Sequence, residues 1–188
     1  MAMAIALRRF TVDEYRRMAD AGILDEDDRV ELLDGQIIEM TPIGPPHRAC
    51  VNRLNGLLAR LAANTRATLS IQNAVVLGRH DAPEPDVAVL RYRADGYLTP
   101  DPGPDDTLLL IEVADSSLQH DRHEKVPRYA AAGIPEAWLV NLPGEAVEIY
   151  RNPQEGHYRD IRTARRGEAI APLAFPDLIL QVDDVLLG

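Results

Sequence analysis

Apolar positions along the chain follow two spacings, and together these predict most of its elements. In HRACVNRLNGLLARLAA (47–63), Cys50, Val51, Leu54, Leu57, Leu58 and Leu61 recur every three to four residues, which predicts a long amphipathic helix. FTVDEYRRMADAG (10–22) predicts a second helix. There Thr11 and Glu14 have capping-box spacing, Phe10 and Tyr15 have hydrophobic-staple spacing, and Gly22 suits the stop. RVELLDGQIIEM (29–40) reads as a hairpin turning at Asp34-Gly35, and TPIGPP (41–46) as the loop that ends it. LSIQNAVVLG (69–78) reads as a strand with Gln72 inside it, and DVAVL (86–90) as the next strand. Residues 91–106 are rich in Pro, Gly and Asp and lack periodicity. They predict a long exposed loop, with Arg91 and Arg93 at its start, of the kind that often contacts substrate.

The stretch LLLIEVADSSLQHDRHEKVPRYAAAGIPEAWLV (108–140) predicts a buried strand, a polar loop, a helix and a second buried strand. Pro127 fits best in a first turn, so the helix is expected to start near His123, with Gly133 as its stop. VEIY and HYRDIR predict two further strands joined by an NPQEG turn; FPDLIL predicts a closing strand and VDDVLL a short terminal helix. No internal repeat or linker divides the chain, so one domain over 1–188 is expected, with residues 1–9 as a disordered lead-in.

Composition narrows the class. An apolar share of 46% in 188 residues suits a globular protein with a sizeable core. No apolar run approaches the roughly 20 residues of a membrane span, and MAMAIALRRF has the wrong order of charge and apolarity for a secretory signal. The single cysteine, Cys50, excludes an intramolecular disulfide framework and a multi-cysteine zinc site. It fits a reducing cytoplasm. On its helical stripe it is expected to be core, as is Trp138. A net charge of −10 argues against a nonspecific nucleic-acid coat but leaves room for a nucleic-acid enzyme with an acidic metal site.

Three positions carry chemistry. Glu112 interrupts a wholly apolar run, and a buried carboxylate is costly unless paired or metal-bound. Asp86 heads another apolar strand, and Lys125 opens the following helix. If the two strands are neighbours they lie about 4.8 Å apart, and the two carboxylates could share a hard cation, Mg²⁺ or Mn²⁺. A lysine beside them would hold the attacking water or neutralise phosphate charge. The plainer alternatives are a turn residue at Asp86, a buried Glu112–Lys125 ion pair without metal, and a solvated Lys125. Glu31, on the face of Leu33, is a further candidate, whereas His47, at a helix start, reads on its own as a capping or surface residue. His120 and His123, and Arg165 and Arg166, are expected to be solvated, and no Gly-rich phosphate loop, GxSxG or HExxH occurs.

Pro85-Asp86 followed by IEVA (111–114) resembles the PD-(D/E)xK nuclease superfamily. RVELLDGQIIEM, GPPH, PEPDVAV, LLLIEVADSS and DRHEKVPRYAAAGIPEAWLV, in that order over residues 10–162, closely resemble the Uma-two family of restriction-endonuclease-like bacterial proteins. The resemblance implies an α/β (α+β) fold, a restriction-endonuclease-like mixed sheet flanked by helices, with the N-terminal helix and hairpin as additions. It implies a Mg-dependent endonuclease acting on DNA, and a homodimer. Asp86 would be the PD aspartate and Glu112 the second acid, with the Val113 carbonyl as an extra ligand. The motif lysine is Ala114 here; Lys125 matches the place from which the family supplies it. Glu31 and His47 match recurring positions near the site. The alternatives are an inactive relative that binds nucleic acid or protein, and a hydrolase of another phosphate ester.

Overall fold

The computed structural model describes residues 7–25, 27–65 and 67–186, with backbone alone for 61–65. The expected disordered lead-in lies, for residues 1–6, outside them, as does the side chain of Leu61. Residues 7–9 run as coil, with Arg8 paired to Glu14 and Arg9 to Asp34.

Helix α1 spans Val12–Asp20. Thr11 accepts the Glu14 N–H at 3.2 Å and Glu14 accepts the Thr11 N–H at 3.0 Å, so the capping box forms. Phe10 and Tyr15 pack with Val12, Leu32 and Ala82. Strands β1 (Val30–Leu33) and β2 (Gln36–Glu39) form the hairpin. Asp34 and Gly35, at φ 51° and 72°, make its two-residue turn.

Helix α2 covers Pro45–Thr65 and starts two residues before the expected point. Its two leading prolines lack only N–H groups that a first turn leaves unpaired.

The central sheet is mixed. It holds β3 (Ala67–Ile71), β4 (Val87–Arg91), β5 (Thr107–Ala114), β6 (Glu136–Asn141), β7 (Ala146–Gln154) and β8 (His157–Arg165), in sequence order. Only β5 and β6 run parallel, because the helical segment between them carries the chain back across the sheet. The two-stranded β9 (Ala169–Ile170) with β10 (Leu180–Gln181), and α5 (Val182–Val185), close the chain.

Alternation along the strands assigns the two faces. Val87, Val89, Leu109, Ile111, Val113, Trp138 and Val140 face α2, where Cys50, Leu54 and Leu58 fill the core. Burying each of these leucines stabilises by roughly 1.5–3 kcal/mol. Cys50 is core as expected: burial first, and then the charge of Asp86, pushes its thiol up to about 12. Ala88, Leu90, Leu110, Ala114, Ala137 and Leu139 face the opposite way, against Val126, Tyr129 and Ala130.

Four expectations change. The strand expected over 69–78 ends at Ile71, because Gln72 turns into the left-handed region at φ 52°. The helix after β5 begins at Leu118, five residues before His123, as the short α3 (Leu118–His120). A π-helical turn over Asp121–Lys125 follows, then α4 (Val126–Ala131). In the π turn the Val126 N–H bonds the Asp121 carbonyl. Pro127 does stand in a first turn, that of α4, but the wider turn ahead of it lets helical backbone run back to Leu118. The NPQEG turn contracts to Glu155-Gly156 at φ 51° and 77°, and β7 continues through Gln154. Finally, the 91–106 segment is largely exposed, as expected, but stands away from the site. Arg93 pairs with Asp95 and stacks 4.3 Å from the Tyr97 ring centre, and none of its residues lines the cleft described next.

Candidate active site

One end of β4 and β5 opens into a cleft of about 420 Å³. Val87 pairs with Ile111, so one step further Asp86 stands opposite Glu112; Glu112 points to the face of α4, whereas Asp86, just before β4, turns its carboxylate to the Val113 N–H and to His47 of α2. The two strands are neighbours, as the sharing of one cation by two carboxylates requires.

The carboxylate of Glu112 is 4% exposed. Its Oε1 takes the Lys125 ammonium at 2.8 Å and the Tyr129 hydroxyl. Lys125 and Tyr129 are one helical turn apart, so a single segment supplies both donors. Both contacts fall on Oε1, which leaves Oε2 without a protein partner among the described residues.

Lys125 is 5% exposed and also reaches Glu31 Oε2 at 3.2 Å and the Glu84 carbonyl at 3.1 Å. Burial pulls its pKa down, but Glu112, Glu31 and Asp121 outweigh this and hold it above the ordinary lysine value. It stays an ammonium, a donor of three hydrogens. Burial pushes Glu112 well up, and Asp121, Asp86 and Glu31 add to this against the pull of Lys125.

Asp86 is held differently. The Val113 N–H donates to its Oδ2 at 2.8 Å, His47 Nε2 bonds the same oxygen at 2.9 Å, and Gln72 Nε2 donates to Oδ1 at 3.1 Å. Burial raises its pKa, but the His47 bond and charge and the Val113 N–H prevail, so the carboxyl titrates below its usual range. His47 comes from the first turn of α2. An ionised carboxylate only accepts, so Nε2, rather than the second ring nitrogen Nδ1, makes this bond as the donor. That Nδ1 is buried without a partner.

Asp86, Glu112, Val113, Lys125, Glu31 and His47 all line the cleft; Arg91 and Arg93 do not. His120, expected to be solvated, lines it too and lies 3.7 Å from Glu31; His123 instead bonds the Gln119 carbonyl. Four contributors were missed. Glu84 binds Lys125 through its carbonyl, and a backbone role leaves no mark on residue type. Gln72 was visible as a polar residue in an apolar run, yet nothing local named its partner. Asp121 is 5% exposed and accepts from Ser117 at 2.5 Å. Tyr129 sits on the apolar stripe and read as core.

The donor chemistry suits a hard divalent cation. Glu112 Oε2, Asp86 Oδ1 and the Val113 carbonyl are oxygens, and a strand residue's carbonyl leaves on the same edge as its N–H, here toward Asp86. Among the described residues no three His, Cys, Asp or Glu side chains form a ready-made cage. Mg²⁺ does not need one, since it binds through one or two carboxylates and keeps several waters; zinc would be served poorly.

A mixed sheet flanked by helices, with an acid pair and a lysine at one end of adjacent strands, defines a restriction-endonuclease-like α/β protein. The model of the Uma2 family, described as "Putative restriction endonuclease", matches residues 12–183, and the chain belongs to that family. Its fold is similar to a solved structure from Anabaena variabilis described as "a putative nuclease belonging to DUF820". The TM-score is 0.74, with 94% of this chain and 97% of that chain covered, at 16% identity. No curated protein matches the chain. Among the described residues, no helix is long and apolar enough to cross a membrane.

Proposed function

We propose that this protein is a Mg²⁺- or Mn²⁺-dependent endonuclease that hydrolyses phosphodiester bonds of DNA. The observation that carries the reading is the meeting of Asp86, Glu112 and Lys125, from two adjacent strands and the following helix, with the ammonium 2.8 Å from Glu112. Asp86 and Glu112, with the Val113 carbonyl, would hold the cation, which when bound acidifies water and draws charge from the phosphate.

The chain's own groups do the rest. Lys125, kept charged, has its three hydrogens on Glu112, Glu31 and the Glu84 carbonyl, so it acts through its positive field, which offsets the charge that builds on the phosphate. Glu31, at 3.2 Å, keeps the ammonium aimed. His47 holds Asp86 through Nε2. Hydrolysis forms the bond from water oxygen to phosphorus and breaks the bond to the leaving ester oxygen, which gains a proton. With this reading go DNA as partner, a homodimer and a cytoplasmic setting.

A second reading, an inactive relative that binds nucleic acid or protein, draws on one observation: the motif lysine position is the buried Ala114, and the Lys125 that replaces it occupies an oxygen of Glu112. One experiment separates the two. Plasmid, linear duplex and single-stranded DNA are incubated with Mg²⁺ or Mn²⁺ and wild type, Asp86→Asn or Glu112→Gln, each checked for folding. Cleavage by wild type alone supports the nuclease. Equal cleavage by all three places any activity elsewhere, and no cleavage by any of them favours the binding module.

A further inference from the structure

Gln72 has a conformation its sequence context does not ask for. It follows β3 directly, in a strand-like apolar stretch, yet its backbone stands at φ 52°. A non-glycine residue in this region is strained, and such strain persists where surrounding contacts demand it. Two contacts here go to the same residue: the Gln72 N–H donates to the Asp86 carbonyl at 3.2 Å, and Nε2 donates to Asp86 Oδ1 at 3.1 Å. The register explains the pairing. Ile71 stands opposite Val87, so Gln72 falls opposite Asp86, as Glu112 does on the other side.

The two oxygens of Asp86 are served unequally. Oδ2 takes both the Val113 N–H and His47 Nε2, whereas Oδ1 takes only Gln72. Oδ1 is thus the oxygen with room for a further bond. The Gln72 amide oxygen has no protein partner among the described residues, and Gln72 lines the cleft.

We propose that Gln72 is a positioning residue that sets the plane of the Asp86 carboxylate and presents Oδ1 to a divalent cation. This rests on the two-carboxylate reading of the site. Partners of metal ligands typically contribute about ten- to hundredfold in metal affinity, and that is the effect expected here.

The test is Mn²⁺ binding to the intact protein, with free Mn²⁺ counted by its electron paramagnetic resonance signal. Wild type, Asp86→Asn, Gln72→Gly and Gln72→Met are compared, and thermal unfolding is followed for each. Glycine removes the amide and also relieves the left-handed strain; methionine removes the amide and keeps the strain. We expect Asp86→Asn to abolish binding and both Gln72 variants to weaken it about ten- to hundredfold while remaining folded, with Gln72→Gly the more stable of the two. Wild-type affinity in both Gln72 variants, with Asp86→Asn inactive in binding, overturns the positioning role alone. Loss of the folded state in both makes Gln72 structural and overturns it too. Absence of Mn²⁺ binding by wild type, or its survival in Asp86→Asn, removes the metal site itself and this inference with it.

Discussion

Replacing Lys125 by methionine keeps most of the buried stem and removes the one ammonium among the carboxylates of Glu31, Glu112 and Asp121. Breaking a buried ion pair from one side costs about 3–5 kcal/mol. An independent limit comes from proton uptake, since Glu112, already driven up by burial and its acidic neighbours, can take a proton instead of staying charged. An unfolded glutamate titrates near 4.3, so protonating it at pH 7 costs about 1.36 × (7 − 4.3), or about 4 kcal/mol. The second figure is an upper limit on the difference, since Glu112 already titrates above its ordinary value beside Lys125 and the wild type carries part of the same cost. For a chain of this size the variant should melt about 8–16 °C below wild type at pH 7.

The pH dependence carries the sharper test. In the variant the folded state holds a proton that the unfolded state has lost, so the slope of unfolding free energy with pH is negative. The penalty is therefore present at neutral pH and disappears toward the unfolded pKa. At pH 5 the same arithmetic leaves about 1 kcal/mol. Urea unfolding of both proteins at pH 5, 6 and 7, in chelator, reads this directly. A difference under about 1 kcal/mol at pH 7, or one that does not change with pH, would refute the claim that Lys125 neutralises a buried carboxylate.

Two further outcomes are expected. Tyr129→Phe keeps the buried ring and loses the hydroxyl bond to Glu112. Hydrogen bonds to charged groups contribute about 1.5–3 kcal/mol, so the urea midpoint should fall accordingly, and an unchanged midpoint would mean that the hydroxyl does not hold Glu112. Burial raises the pKa of Glu148, but its bonds with Arg122 at 3.0 Å and with Tyr150 at 2.5 Å prevail and hold it below the usual range. Its contribution is therefore present above the unfolded value of about 4.3 and lost as pH falls through the lower folded value. The stability difference between wild type and Glu148→Gln should shrink progressively as pH falls below the unfolded value of about 4.3; a difference that stays undiminished under acid counts against the pairing.

The acids were legible from sequence because each breaks a rule of its own strand. Glu112 interrupts a run whose every neighbour is buried, and Asp86 heads a strand of four buried residues. Both anomalies lie within one element, so periodicity alone exposes them. The turns Asp34-Gly35 and Gly133 were legible for the same reason, since left-handed backbone selects residue type locally.

What was illegible depends on partners far away in sequence. Pro127 falls in the first turn of α4 as its chemistry requires, but the π turn and α3 that run into it left no local mark, because packing decides them. The turn has a consequence for the site. It buries Asp121 and Lys125 together on the inner side of the helix while Arg122 reaches out to Glu148, a division that an expected start at His123 does not produce. Gln72 failed the strand reading for a related reason. Its apolar flanks favour a continued strand, and only the register with Asp86, fourteen residues on, shows why the backbone turns there. Residue identity thus announced which groups are costly to bury, and tertiary register decided what relieves the cost. At Glu112 that relief covers one oxygen and leaves the other to the cleft.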